Sequence, residues 1–441
     1  MKPLRKAQVG WISYDFANTI FSMNIVTFFF APWIVLDLGV EDIYYSLAYS
    51  GSMIFVALSM PTLGRRADRV VGKLPRLRTF TLLCIFFTVL LSLGALTISN
   101  ITVVAIFTLI CFAVANYFYE GGLTFYNALL ADVSDESNVG RVSGIGVAFG
   151  YLGAIAGLLL VLPITDGSLI PGVVGRQYAF MPTALLFLLF ALPTSYWVRE
   201  RPVVSDKPLV PETFLASWKE ALRESRHYPG VLRFLIADYL IEDAIATLIV
   251  FMAIYAEAVA GFADADKVVL FVASTLCAFG GSLVFGWLSD KLGSKLSLLI
   301  AVFGWTIVLS SAVILTSRTA FFVLGGFVGV FLGAVWTTSR PLLNSLVPRE
   351  KLGQFYGLYT LSGRAAATIG PLLWGFIVLF AKADKPLGRW ALDILGVLGV
   401  ERLDLYAGTI HYRLAIASLL VVMLLGLSLL FKVPNRRRYS P

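Results

Sequence analysis

Long apolar runs separated by short polar segments fill most of the chain. A helix needs roughly 20 mainly apolar residues to cross a bilayer, and twelve runs reach that length. They lie near residues 10–36, 42–64, 76–98, 101–130, 140–163, 178–198, 230–258, 266–290, 294–316, 319–346, 352–380 and 410–432. The pattern predicts an all-α membrane protein with twelve transmembrane helices.

The longest polar stretch, residues 199–230, separates the first six runs from the last six. We therefore predict an N-terminal six-helix bundle over 1–198, a cytoplasmic linker over 199–229 and a C-terminal six-helix bundle over 230–441. Apolar residues recur at helical spacing inside the linker, namely Phe214, Leu215, Trp218 and Leu222. This spacing predicts an amphipathic helix at the membrane surface, and a solvated connector explains it equally well.

The two halves of the chain repeat one another. GRRADRVVGK after the second run and GWLSDKLGSK after the eighth both contain a glycine and an aspartate four residues apart: Gly64 and Asp68, then Gly286 and Asp290. Four glycines of the fifth run recur in one register of the eleventh: Gly140, Gly144, Gly150 and Gly157 match Gly353, Gly357, Gly363 and Gly370. Duplication explains these matches better than chance.

Parallel six-helix repeats joined by a long cytoplasmic loop are the architecture of major facilitator transporters. Glycines in membrane helices allow neighbouring backbones to approach closely. We therefore predict a major facilitator fold of two pseudo-symmetric bundles, in which the repeated glycines pack across the interface between the bundles.

Composition excludes a soluble protein. Of 441 residues, 58% are hydrophobic and 14% charged, with a mean hydropathy of +0.82, whereas soluble domains carry about a quarter charged residues. The net charge of +8 does not indicate nucleic-acid binding, because the basic residues lie in short segments between runs. Their distribution predicts cytoplasmic termini, and in a bacterium a multi-pass protein of the inner cell membrane.

No catalytic or metal-binding pattern occurs in the sequence. Cys84, Cys111 and Cys277 lie in apolar runs, and neither they nor His227 and His411 have the spacing of metal ligands. No nucleophile, general base and orienting group form a recognisable arrangement. We therefore predict that the protein is not an enzyme and has no disulfide, metal site or cofactor.

Three carboxylates in the seventh run, ADYLIEDAIATLIVFMAIYA (237–256), are candidates for function. An ionisable residue at the centre of a membrane helix costs about 3 kcal/mol, so it faces a cavity or a partner. Asp238 and Glu242 share a helix face, whereas Asp243 is turned about 100° away from Glu242. We predict that Asp243, the deepest, binds substrate and a proton, with Glu242 as its modulator in proton coupling, and that Asp238 forms an inner gate.

Two polar pairs in the first half supply further candidates, among which Asn18, Asn116 and Glu120 are predicted to bind substrate. Asp15 and Asn18 are three residues apart in the first run, and Asn116 and Glu120 are four apart in the fourth, so each pair can share a helix face. Both acids are also candidates for proton coupling, because neighbouring carboxylates in a poorly hydrated cavity compete for a proton. The alternatives are a hydrated helix-end carboxylate for Asp15 and a static ion pair with an intramembrane arginine for Glu120.

Two arginines lie inside predicted helices. Arg340 precedes Pro341 in the tenth run, and Arg364 lies near the middle of the eleventh. An arginine in the membrane stays protonated, so each needs a carboxylate, a carbonyl, water or an anionic group of the substrate. We predict that Arg364 binds the substrate anion and that Arg340 also contributes to substrate binding.

The repeated loop motif predicts a gate on the cytoplasmic side. Asp68 would face the positive N-terminal end of the eleventh helix, and Asp290 that of the fifth, which would hold the outward-facing state. The predicted gating residues also include Gly64, Arg69, Arg141 and Gly286. The alternative is that the basic residues of this segment only set the orientation in the membrane.

Four stretches show a family likeness: WISYDFANTIFS (11–22), FYNALLADVSDESNVGRVSGIGVAFGYLG (125–153), IEDAIATLI (241–249) and SRPLLNSLVPREKLGQFYGLYTLSGRAAATIGPLLWG (339–375). They resemble the vacuole-effluxer-like branch of the major facilitator superfamily. The resemblance implies a twelve-helix secondary transporter, and its fungal vacuolar members are associated with amino-acid efflux. The chain departs from the family pattern in the seventh run, where Glu242, Asp243 and Ala244 stand in place of Asp-Gly after a small polar residue.

These observations predict a secondary active transporter for a small polar solute, such as an amino acid or similar zwitterion. We expect alternating access, coupling to H⁺, export as the favoured direction, and function as a monomer in the lipid bilayer. A cation-coupled sugar or lysolipid transporter is the alternative, since PTLGRRADRVVGKLPRLR also resembles sugar symporters, although their paired aspartates are missing. A membrane sensor that does not transport is the alternative outside this class.

Overall fold

The computed structural model describes residues 3–40, 42–69, 72–201, 223, 225, 227–228, 230–262, 264–397 and 403–435. The regular structure of these residues is helical, without a strand. The α-helices of five or more residues are α1 (Lys6–Phe21), α2 (Asp42–Arg69), α3 (Lys73–Thr97), α4 (Ile101–Ala128), α5 (Val139–Thr165), α6 (Phe180–Trp197), α7 (Val231–Ala260), α8 (Asp264–Leu292), α9 (Ser294–Ile314), α10 (Arg318–Leu346), α11 (Leu352–Phe380), α12 (Pro386–Val397), α13 (Leu403–Ala407) and α14 (Ile410–Phe431).

The apolar runs coincide with α1 to α11 and α14, which confirms the predicted all-α fold. Within the described part of the chain, ten helices are long and apolar enough to cross a membrane, and eleven are if the bent α7 counts as one span. The predicted amphipathic helix around Phe214 to Leu222 lies outside the described residues.

The first span does not remain an α-helix. After Phe21 it widens into π-helical turns over Ser22–Phe29 and again over Trp33–Asp37. Asn24, fully buried in the first widened segment, donates from Nδ2 to the Gly157 carbonyl and to Thr183 Oγ1, both at 3.1 Å. This side chain ties the widened turns to α5 and α6. Such π-helical turns are rare and are found frequently at functional sites.

Contacts divide the chain into two units, one of residues 1–227 and 347–361, the other of residues 228–346 and 362–441. The first unit has an aromatic core that joins α1 to α4. Tyr126 stacks on Trp11 with ring centroids 4.5 Å apart and on Tyr14 at 4.9 Å. Trp11 Nε1 also donates to the Tyr126 carbonyl at 2.9 Å, so the buried indole N–H is satisfied.

The repeated glycines only partly fulfil the prediction about their packing. Gly353 and Gly357 in α11 do pack on α2 from the other half of the sequence, because a Cβ at Gly357 would lie 2.8 Å from Pro61 Cα. The prediction is wrong for Gly150, Gly157 and Gly370. These three pack on the first helix of their own half, against Thr19, Ile20 and Thr247.

In the second unit, side chains donate hydrogen bonds to the last carbonyl groups of α9. The last carbonyls of a helix lack intrahelical partners, and in a membrane they find few others. The Tyr255 hydroxyl donates to the Ala312 carbonyl, and the Tyr406 hydroxyl donates to the Ile314 carbonyl. The Arg413 guanidinium donates to the carbonyls of Val313 and Leu315. Tyr406 belongs to α13, and its ring lies against the buried Arg413 guanidinium. The short helix α13 is thereby anchored to the bundle.

The close approach of α5 to α1 predicts a stability effect. A Cβ at Gly153 would meet the backbone of Phe16, which cannot move aside as a flexible side chain can. Gly153→Val should destabilise the protein by about 3 kcal/mol through overpacking, measured as a lower midpoint of thermal unfolding in detergent. Gly280→Val is the matched control, since its Cβ meets nothing within 4 Å. Equal midpoints for the two variants would contradict the packing.

Candidate functional site

Asp68, on the last turn of α2, binds the first turn of α11. Its two carboxylate oxygens accept the backbone N–H groups of Gly353 and Gln354, each at 2.8 Å, and only 3% of the residue is exposed. These N–H groups have no partner within their own helix, and they lie at the positive end of the helix dipole. The predicted placement of Asp68 at this helix end is therefore seen in the structure, whereas its gating role stays a prediction.

Gly64 and Gly353 allow this approach. A Cβ at either glycine would meet the carbonyl oxygen of the other. Both positions therefore require glycine for the backbones of α2 and α11 to lie this close. This contact also explains why the motif places its aspartate four residues after its glycine. Asp68 lies one helical turn beyond Gly64, so it reaches the N–H groups of Gly353 and Gln354 that the glycine contact brings near.

An ion pair next to this motif was not predicted from the sequence. Lys73 Nζ lies 3.5 Å from Asp132 Oδ2, and both side chains are almost completely buried. Asp132 Oδ1 also accepts the Arg201 backbone N–H at 3.2 Å. The pair therefore joins the start of α3 to the segments that follow α4 and α6.

Glu200 satisfies the start of α3. Its carboxylate accepts the N–H groups of Gly72, Lys73 and Leu74 at 3.1 to 3.2 Å. The sequence offered one signal for it, an acidic residue in RERP directly after a run. However, its partner helix begins more than 120 residues earlier, so sequence spacing could not identify the contact.

A more exposed cluster lies beside the buried pair. Asp135 pairs with Arg5 at 3.2 Å and with Arg201 at 3.1 Å. The Arg201 hydrogen bond and the charge of Arg5 hold the pKa of Asp135 below its usual value. These bridges connect the N-terminal segment to the loop after α4.

In the first unit, the predicted pair Asp15 and Asn18 comes together. Asn18 Nδ2 donates to Asp15 Oδ1 at 3.3 Å, and both residues are buried. The carboxylate lies over Gly146 of α5, where a Cβ would come within 3.1 Å of Asp15 Oδ2. Asp15 is therefore enclosed between α1 and the glycine face of α5, rather than lying in water at a helix end.

Asn116 and Glu120 also share a buried face of α4, as predicted. Asn116 is fully buried and donates to Ser52 Oγ at 2.8 Å, while Glu120 is 3% exposed. One turn further, the hydroxyls of Thr124 and Thr360 lie 3.0 Å apart. This part of α4 thus presents consecutive polar groups at helical spacing.

In the second unit, Asp243 has a backbone partner. Its Oδ1 accepts the Gly370 N–H at 2.8 Å, and the residue is buried. Gly370 precedes Pro371 inside α11, where proline removes a helical hydrogen bond. A Cβ at Gly370 would meet Thr247 Oγ1 and come within 2.9 Å of Asp243 Oδ2. Asp243 therefore binds α11 at the residue directly before its proline.

Asp238 and Glu242 face α10, whereas Asp243 faces α11. Trp336 Nε1 donates to Glu242 Oε2 at 3.3 Å, and Ser339 lies beside Asp238. Asp238 is 2% exposed, and its Oδ2 has no hydrogen-bond partner among the described residues. The predicted division of the three carboxylates between two faces of α7 is thus present, with a different neighbouring helix on each face.

The remaining predicted residues lie as follows. Arg340 is half-buried on α10, directly after Ser339. Asp290 is half-buried in the last turn of α8, Gly286 is buried one turn earlier, and Arg141 is half-buried near the start of α5. Arg69 and Arg364 are helical, but their side chains lie outside the described part of the structure. Among the described residues, no group of three potential metal ligands occurs.

Comparison with known families decides the classification. Residues 130–379 match the family described as "Vacuole effluxer Atg22 like". The chain belongs to the Atg22-like vacuole effluxer family. The match includes α5, α7, α10 and most of α11, and so contains Asp238, Glu242 and Asp243.

Relatives of this Atg22-like protein occur in bacteria and fungi. It is 25% identical to an uncharacterized MFS-type transporter, YxiO, of Bacillus subtilis (strain 168), over 91% of this chain and 94% of that protein. It is 26% identical to Autophagy-related protein 22 of Yarrowia lipolytica, over 65% of this chain and 53% of the fungal protein. The Atg22-like chain is thus an MFS-type transporter rather than an enzyme.

Solved structures show the same fold. A bacterial homologue of the iron transporter ferroportin in an outward-facing state matches with a TM-score of 0.68 at 14% identity, over 98% of this chain and 100% of that one. The human organic anion transporter MFSD10 matches with a TM-score of 0.68 at 13% identity, over 96% of this chain and 98% of that one. The Atg22-like chain therefore has the major facilitator fold.

The buried ion pair predicts a contrast in stability. Lys73→Met leaves the Asp132 carboxylate buried without its cation, which costs about 3–5 kcal/mol. The midpoint of thermal unfolding in detergent should fall strongly, and Lys73→Met combined with Asp132→Leu should recover part of the loss. Arg5→Ala breaks an exposed bridge worth about 0–1 kcal/mol and serves as the control. Similar midpoints for Lys73→Met and Arg5→Ala would refute this role.

Proposed function

We propose that this transporter exports a small zwitterionic solute, such as an amino acid, by alternating access coupled to protons. The observation that supports it best is the pair Asp238 and Glu242, two carboxylates on one face of α7 packed against Trp336 and Ser339 of α10. One extra proton on such a pair relieves both charge repulsion and the cost of desolvation. Export is supported by the family description, which names an effluxer.

Within this proposal the carboxylates of α7 have separate tasks. Glu242 is half-buried and bonded to an indole N–H, so it is accessible enough to exchange a proton or meet an ammonium group. Asp243 accepts a backbone N–H beside Pro371 and acts as a positioning residue for α11. Depth in the membrane alone favoured Asp243 as the residue that binds the proton, with Glu242 as its modulator. In this proposal Glu242 binds the proton instead.

Basic groups would complete the recognition of a zwitterion. Arg340 lies next to Ser339 on the helix that also supplies Trp336, and Arg364 lies on α11. We assign these arginines to the substrate carboxylate, and Glu242 of the same unit to its ammonium group and to the coupled proton. Asp15 and Glu120 of the first unit are separately proposed to take part in proton coupling. Both termini are proposed to be cytoplasmic, with the chain acting as a monomer.

Transport in proteoliposomes separates the tasks of the two neighbouring acids. Glu242→Gln should lower uptake of an amino acid driven by a pH gradient at least tenfold, because no proton can bind there. Asp243→Asn keeps an oxygen that accepts the Gly370 N–H, so it should retain most of the gradient-driven flux, while Asp243→Leu should lose folded protein. If Asp243→Asn abolishes coupling and Glu242→Gln does not, the assignment is wrong.

Asp68 is proposed to hold the cytoplasmic side closed through its two bonds to α11. A hydrogen bond to a charged group contributes about 1.5–3 kcal/mol, so Asp68→Asn should raise the open population about tenfold or more. The measurement is labelling of a single cysteine at buried Thr124, in a background without native cysteines, by an impermeant maleimide from the cytoplasmic side. Asp135→Asn, which removes an exposed carboxylate on the same side, is the control. An unchanged labelling rate in Asp68→Asn would eliminate the gate.

A further inference from the structure

The helix α12 (Pro386–Val397), in the segment between α11 and α14, has three faces of different character. One face is apolar and exposed, with Trp390 60% and Val397 88% accessible. It consists of Leu387, Trp390, Ile394 and Val397. Their spacing of three, four and three residues places them within a sector of about 80° on a helix of 3.6 residues per turn.

The second face of α12 packs on the protein. Gly388 and Ala391 are buried, and Leu392 and Leu395 are half-buried. A Cβ at Gly388 would meet the carbonyl oxygens of Ala381 and Lys382, which directly follow the last turn of α11. The chain therefore turns back at the end of α11, and α12 lies level with that end.

The third face is charged. Arg389 and Asp393 are both exposed, and they lie next to the apolar face, about 130° around α12 from the centre of the protein-packed face. Lys382, Asp384 and Lys385, just before the helix, are exposed as well. A helix in one uniform solvent needs two faces, one for the protein and one for water. The three faces of α12 correspond to three environments: protein, water and an apolar medium.

The apolar face of α12 comes shortly after exposed apolar residues at the end of α11. Leu379 and Phe380 in the last turn of α11 are both more than half exposed, as expected for a spanning helix that faces hydrocarbon. The exposed stripe of α12 begins seven residues later, at Leu387. Tryptophan is enriched where a bilayer meets water, and amphipathic helices with such a stripe lie in the plane of that boundary.

We propose that α12 is a lipid-docking helix, which lies in the headgroup region of the bilayer with Leu387, Trp390, Ile394 and Val397 inserted among the acyl chains. Its partner is the membrane leaflet at the C-terminal end of α11. Gly388 joins α12 to α11, and Tyr406 of α13 joins the same segment to the end of α9. The helix is thereby held at a fixed depth relative to the spans.

Spin-label accessibility in a bilayer tests this placement. Cys84, Cys111 and Cys277 are replaced by alanine, and single cysteines are introduced at 389, 390, 393 and 394 in otherwise full-length protein. Each is labelled with a nitroxide and reconstituted in vesicles of phosphatidylcholine and phosphatidylglycerol. Relaxation by oxygen, which concentrates in lipid, is compared with relaxation by a water-soluble nickel chelate.

Labels at 390 and 394 should be relaxed several-fold more by oxygen than by nickel, and labels at 389 and 393 the reverse. Labels at 390 and 394 that behave like those at 389 and 393 would place this face in water. Labels at 390 and 394 shielded from both reagents would mean that protein, including a second copy of this chain, covers the face. Either of these results overturns the proposal.

Discussion

Hydrocarbon offers no hydrogen bonds, and the described structure is organised around this constraint. At several helix ends, a side chain from a distant part of the chain supplies a hydrogen-bond partner that the helix itself lacks. Asp68 serves the start of α11, Glu200 the start of α3, and Arg413 the end of α9. Asp243 accepts the Gly370 N–H directly before Pro371 inside α11. Helix ends are thus also the points at which distant segments of the chain are joined.

Much of this fold follows from one-dimensional patterns. The length of the apolar runs predicts the spans, and helical spacing predicts which residues share a face, as for Asp15 with Asn18 and for Asp238 with Glu242. The position of Asp68 opposite α11 could also be predicted, because a repeated loop motif and a helix dipole both constrain it. In each case the relevant information is a spacing or a repeated motif that can be read along the sequence.

The remaining contacts depend on which helix is the neighbour, and spacing does not contain that information. Gly150 and Gly370 have the periodicity of a packing face, yet the pattern is the same whichever helix lies opposite. Lys73 and Asp132 are 59 residues apart and lie at the edges of their runs, where charged residues usually face water. Asp243 and Glu242 are adjacent in sequence, yet the 100° between them gives one a backbone partner and the other an indole.

The contact between Gly64 and Gly353 constrains how the protein can evolve. In most helix crossings, a larger residue on one side can be offset by a smaller one on the other. Here each glycine lies against the backbone of its partner, and neither can become smaller. A substitution at one position therefore has no compensating substitution at the other, so any suppressor must arise elsewhere in the chain. Neither Gly64 nor Gly353 is therefore free to change during evolution.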